Sequence, residues 1–163
     1  GNGCTLYRPQ MVLKIAAPGE TPVYEFKPEV IGKLPINDEQ LKVIQDGLRA
    51  VITNKNGTAY RRFLGLQIPV YAKTGSAEIQ GGGLGIPHAW FAGYTQANRK
   101  DKPDIAFVVV LPNRGEGSDW AAPVARRIIE SYFLGKAFTL YPWEAEIGLT
   151  ATPSPTGTPT PKP

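Results

Sequence analysis

Lys73-Thr74-Gly75-Ser76 puts an ammonium, two hydroxyls and a glycine inside VYAKTGSAE, a run that otherwise has the composition of a β-strand. Successive side chains of a strand point to opposite faces, so Lys73 and Thr74 cannot share one. They serve a single site only if the strand borders a cleft. There the strand edge offers its N–H and C=O groups to an extended ligand. Gly75 suits that arrangement, because a missing side chain lets another backbone approach closely. The same residues also fit a solvated edge strand on which Lys73 guards against aggregation.

A phosphate loop is excluded. It needs Gly, four residues, then Gly-Lys-[Ser/Thr], between a strand and a helix. Here Ala72 precedes Lys73, Gly65 stands at the wrong distance, and another strand follows. GGGLG at 81–85 links two strands and opens no helix, so it reads as a hairpin loop rather than a dinucleotide turn. His88, the single histidine, sits in that loop just before the next strand and reads as a rim or packing residue. Trp90, Phe91 and Tyr94 are expected to fill the sheet core. Glu78 reads as a solvated strand end, and Glu116 with Asp119 as a helix start rather than a carboxylate pair. One cysteine, Cys4, excludes an internal disulfide and a cysteine-based metal site. No metal and no cofactor are expected.

The surrounding elements must position this strand. An apolar stretch, MVLKIAA, is followed by residues 20–30, which alternate partly but carry Pro22 and Pro28 and so suit an edge or extended segment. Asn37 with Gln40 three residues on forms a capping box, and Leu41, Ile44, Leu48, Val51 and Ile52 recur at helical spacing up to Asn56-Gly57. Strands are predicted over 70–79, 89–96 and 105–111. Their short links favour antiparallel neighbours. A second helix is predicted from Ser118 to Gly135, with Ala121, Val124, Ala125, Ile128 and Tyr132 as its apolar face. The fold class is α+β: an antiparallel sheet of at least three strands flanked by helices. The expected domain runs over 1–149, and the Thr/Pro tract TATPSPTGTPTPKP over 150–163 forms a disordered tail.

The chain has 163 residues, 42% of them hydrophobic, enough for one ordinary domain with a core. Its net charge of +4 is scattered, with no basic stripe, so nucleic acid is not an expected partner. The longest apolar run, 105–111, is too short to span a bilayer. No signal-like segment opens the chain, so any export signal or anchor is expected upstream of Gly1.

The order of these segments carries a resemblance. KTGS, Trp90-Phe91-Ala92-Gly93-Tyr94, the strand at 105–111 and Ala121-Ala122-Pro123-Val124-Ala125-Arg126-Arg127 follow one another as in the C-terminal part of penicillin-binding protein transpeptidases. TLYRPQMV at 5–12, the helix at 41–52 and Gly57-Thr58-Ala59 resemble the preceding segments of that family. The resemblance covers roughly residues 1–135 and looks most like the class B, elongation-type proteins. It implies the β-lactamase/transpeptidase-like fold and a serine acyl-transfer enzyme marked by Ser-x-x-Lys, Ser-x-Asn and Lys-Thr-Gly. Lys73, Thr74 and Gly75 match the third motif. By resemblance Lys73 and Ser76 are catalytic. Lys73 sets a positive field and supports the proton relay, and the Ser76 N–H serves the oxyanion hole. Thr74, Gly75 and Ser76 bind substrate, with the Thr74 hydroxyl on the carboxylate of a D-Ala-D-Ala terminus or a β-lactam. The family more often has Thr where Ser76 stands.

The first two motifs are absent. The four serines are Ser76, Ser118, Ser131 and Ser154. Three places later stand Ile79, Ala121, Leu134 and Gly157, and two places later Glu78, Trp120, Phe133 and Thr156. The nucleophile is therefore expected upstream, in a parent D,D-transpeptidase that cross-links peptidoglycan and binds β-lactams at the extracytoplasmic face of the bacterial cytoplasmic membrane. This chain alone is expected to be inactive, with the missing part of the domain as a partner. The alternatives are a non-catalytic peptide-binding module using the KTGS edge, or a fragment of a β-lactamase-like hydrolase.

Overall fold

The computed structural model describes residues 3–78 and 85–138. The chain divides into two compact units, Gly1–Arg126 and Arg127–Pro163. The tract 150–163, most of the sequence between Leu134 and it, and Ile79 at the expected strand end lie outside the described residues.

In the first unit, two small two-stranded sheets precede the main helix. β1 (Thr5–Tyr7) pairs antiparallel with β4 (Val30–Lys33), and β2 (Lys14–Ile15) with β3 (Tyr24–Glu25). The single extended segment expected over 20–30 is thus divided between two sheets, with Pro28 in the break between β3 and β4. The expected apolar stretch is largely uncovered here: Met11, Val12, Leu13 and Ile15 are exposed. Cys4 is a buried free thiol.

Helix α1 (Asp38–Thr53) begins where its capping box predicts. The Asn37 side chain accepts the Gln40 N–H at 2.8 Å, and the Gln40 side chain accepts the Asn37 N–H at 3.0 Å. Its apolar stripe is only partly used: Ile52 is buried, but Ile44 is 50% exposed. A polar residue supplies a tie that the pattern did not mark. Arg49 donates to the Val70 carbonyl at 3.0 Å and lies over the Tyr71 ring. The chain then turns at Gly57, where a Cβ would collide with the Ala50 and Val51 carbonyls of the last helical turn. Glycine lets the loop fold back tightly onto α1, which fixes Thr58. A short α2 (Tyr60–Phe63), not expected from the sequence, follows.

The central sheet is β5 (Val70–Ala77), β6 (His88–Thr95) and β7 (Ala106–Leu111), antiparallel in the order β5-β6-β7. Pairing runs unbroken from Val70↔Thr95 to Ala77↔His88. Val70, Ala72, Ala89, Phe91 and Val109 are buried, and Phe91 stacks between Phe63 and Phe107. Tyr71 and Tyr94 stack on the side approached by Arg49. Trp90 departs from the core expected for it and is 38% exposed, because the alternation that buries Phe91 turns its neighbour outward.

α3 (Ala121–Leu134) starts three residues later than Ser118. Glu116 accepts the N–H of Asp119 and of Trp120 on its carbonyl, so residues 116–120 form a turn rather than a helical start. Pro123 falls in the first turn of α3, where its missing N–H costs nothing. The buried positions of α3 are Ala121, Ala122, Pro123, Ala125, Ile129 and Phe133, with Arg126 and Glu130, whereas the expected Ile128 is exposed. Two buried charges disguise the true face. Arg126 donates to the Arg62 and Leu64 carbonyls in the first unit. In the second unit Glu130 accepts the Phe138 N–H. Gly135, at φ +81°, ends the helix as expected.

Candidate functional site

β5 changes character at its midpoint. Val70 and Ala72 are fully buried, while Lys73, Ser76 and Ala77 are exposed and Thr74 and Gly75 half-buried. Among the described residues no strand pairs with its outer edge. The Pro69 carbonyl accepts the Gln96 N–H, so the set of positions in phase with Pro69 faces β6. The alternate set faces outward. The Val70 carbonyl is taken by Arg49 and the Thr74 carbonyl by the Lys73 ammonium. By the same two-residue period the Ser76 N–H points outward too. Lys73 leaves its own face of the sheet and curls onto the edge, so its charge and the outward backbone groups meet along one line.

The side chains on the other face are held from elsewhere. The Thr74 and Thr58 hydroxyls lie 2.9 Å apart, and Ser76 Oγ donates to Glu116 Oε2 at 2.7 Å. Lys73 lines a cavity of about 400 Å³ together with Gly47, Val51, Asn54, Asn56 and Thr58. A second, polar cavity of about 390 Å³ shares Asn56, Gly57 and Thr58 and adds Lys55, Arg61 and Asp119. A larger, mainly apolar cavity of about 620 Å³, between Leu48 and the Tyr94–Ala106 end of the sheet, lacks Lys73, Thr74 and Ser76. Its single carboxylate, Asp104, is already occupied. Burial acts against the charged form there, but the N–H of Ala97, the Thr95 hydroxyl and the N–H of Asn98 outweigh it and hold the Asp104 carboxyl below its ordinary value. Lys73 and Thr58, the partner of Thr74, line the smaller cavities instead, Lys73 the mainly apolar one of about 400 Å³ and Thr58 both.

Two residues of this cluster carried no signal in the sequence. Glu116, expected at a helix start, reaches Ser76 from 40 positions away, on a loop flanked by Gly115 and Gly117. Thr58 is placed by the tight turn after α1. The remaining candidates lie apart. His88 is the first residue of β6, not a loop residue, and its Nδ1 accepts the Asn113 N–H at 2.9 Å, which assigns the proton of the neutral ring to Nε2. Asp119 pairs with Arg62 at 3.0 Å, and Glu78 is exposed. Among the described residues no group of three His, Cys, Asp or Glu side chains could hold a metal ion. Nor is any helix there long and apolar enough to cross a membrane.

A helix-backed antiparallel sheet whose edge strand carries Lys-Thr-Gly-Ser, with Lys73 at a cavity beside α1, matches the KTG strand of transpeptidase-like folds. The family model for the penicillin binding protein transpeptidase domain matches residues 1–130. The chain belongs to that family. It is 32% identical over 98 residues to the peptidoglycan D,D-transpeptidase MrdA of Haemophilus influenzae, covering 53% of this chain and 15% of that protein. It is 29% identical over 145 residues to penicillin-binding protein H of Bacillus subtilis, covering 80% of this chain and 19% of that protein. Among solved structures it superposes on Pseudomonas aeruginosa PBP2 in complex with WCK 5153 with a TM-score of 0.56 at 25% identity, covering 74% of this chain and 26% of that one. The chain thus spans under a fifth of the length of either curated relative.

Proposed function

We propose that this chain forms one wall of a serine D,D-transpeptidase active site in a class B, elongation-type penicillin-binding protein. The observation that carries the proposal is the open edge of β5, where the Lys73 ammonium sits on the Thr74 carbonyl and lines a cavity with Thr58, the partner of the Thr74 hydroxyl. In this reading a serine upstream of Gly1 attacks the carbonyl of the penultimate D-Ala of a peptidoglycan stem peptide. The terminal D-Ala leaves, and the amine of a second stem peptide takes the acyl group. Lys73 provides positive potential and assists proton transfer. Thr74 holds the substrate carboxylate. Gly75 admits the peptide, and the Ser76 N–H supports the oxyanion, a donor type worth about 10²–10³ in rate in acyl-transfer enzymes. β-Lactams would occupy the same cleft and acylate the same serine. The protein would work at the extracytoplasmic face of the cytoplasmic membrane, anchored upstream of this chain.

Fluorescent penicillin tests the proposal. The full-length protein should be labelled on one serine upstream of Gly1, and the isolated chain should not be labelled. Labelling within residues 1–163 would overturn it, as would a full-length protein that resists labelling. Saturable binding of an extended peptide by such an unlabelled protein would mark a binding module instead.

A further inference from the structure

We infer that Glu116 is a positioning residue for the KTG edge and acts through the Ser76 hydroxyl; this rests on the transpeptidase reading. Ser76 has one hydroxyl proton, and it is donated to Glu116 Oε2 at 2.7 Å. The loop bearing Glu116 cannot drift from the strand. At Gly117 a Cβ would run into the Trp90 carbonyl and into the Gly75 carbonyl and amide, so the loop backbone lies directly on the Gly75↔Trp90 pair. Only glycine permits that approach. The Gly117 carbonyl in turn accepts the Ala122 N–H, fastening the loop to the start of α3.

Two consequences follow from this arrangement. The Ser76 side chain is held in one orientation, so the strand end bearing the outward Ser76 N–H is braced through that side chain. The Ser76 proton is also engaged, which leaves only the oxygen lone pairs for a ligand. A substrate carboxylate must then be received by Thr74 and Lys73, while Ser76 can accept only from a ligand N–H. Glu116 thereby fixes Ser76 as an acceptor toward a ligand. Its role needs no contact with the ligand.

The test is a double-mutant cycle in the full-length protein, read as the second-order rate of acylation by fluorescent penicillin. Glu116→Ala should slow acylation about tenfold, a loss typical of directly coupled pairs. Its labelling should still reach completion, which a loss of folded protein would not allow. Glu116→Gln should recover most of that loss, because its amide oxygen can accept the same hydroxyl. In a Ser76→Ala background Glu116→Ala should add nothing further. The inference is overturned if Glu116→Ala acylates at the wild-type rate, if its effect persists undiminished without the Ser76 hydroxyl, or if the glutamine variant is as slow as the alanine variant. A wild-type protein that is never acylated would instead sink the transpeptidase reading on which the inference rests.

Discussion

The two halves of β5 share one backbone ladder and differ in almost everything else. At Val70 and Ala72 the side chains are fully buried, the paired strand supplies Thr95 and Gly93, and Arg49 closes the edge from α1. From Lys73 onward the strand keeps its pairing but loses its cover, and its side chains are gripped singly by Thr58 and Glu116. The first half is anchored by packing, which is indifferent to direction. The second is held by directional polar contacts, with no strand paired to its outer edge among the described residues. A strand can thus be rigid enough to aim chemistry and open enough to admit a substrate, provided its anchor and its working surface lie in series.

That contrast can be broken from either end. Removing the charge at the working half should give the largest functional effect. Lys73→Ala in the full-length protein is expected to lower the rate of acylation by fluorescent penicillin about 10²–10⁴-fold, the range for a displaced proton-transfer group. The unfolding free energy should shift by less than about 0.5 kcal/mol, because the side chain is exposed. A comparable loss of stability would mean that the working half is also an anchor.

Phe91→Ala reverses the pattern. Phe91 is fully buried between Phe63 and Phe107, so its truncation should cost about 3–5 kcal/mol in denaturant unfolding of the transpeptidase domain. A loss below about 1 kcal/mol would show that the buried half does not carry the sheet.

The smallest effect is at the far corner of the scaffold. Asp104 accepts from Thr95, the residue opposite Val70, and from the N–H of Ala97 and Asn98. Asp104→Asn should cost about 1 kcal/mol at neutral pH. The folded-state pKa of Asp104 is depressed, so its contribution is present above the unfolded value near 4 and is lost as pH falls through the lower folded value. Thermal unfolding against pH should therefore show wild type and variant converging below about pH 4. A gap that stays constant down to the lowest pH would assign the effect to shape rather than charge.

Local patterns were legible. The capping box at Asn37 and Gln40, the antiparallel order of the strands and the stop at Gly135 rest on interactions between residues close in sequence, and each stands in the structure. Faces were less legible. Buried Arg126 and Glu130 look like solvent residues in a periodicity count, so the buried stripe of α3 was placed on Ile128 and Tyr132 instead of Ile129 and Phe133. A charge is buried only when distant carbonyls or amides satisfy it, and no short window contains them.

By itself the sequence determined that Lys73, Thr74, Gly75 and Ser76 sit on a strand between two helices, with no Ser-x-x-Lys or Ser-x-Asn in this chain. It left open whether residues that alternate across a sheet could meet. Tertiary structure turns the Lys73 ammonium onto the Thr74 carbonyl at the outer edge of β5 and brings Thr58 to Thr74 and Glu116 to Ser76 from 16 and 40 positions away. The physical reason is range. Strand propensity and capping act over a few residues, whereas the orientation of a hydroxyl is set by whichever acceptor the folded chain places within about 3 Å of it.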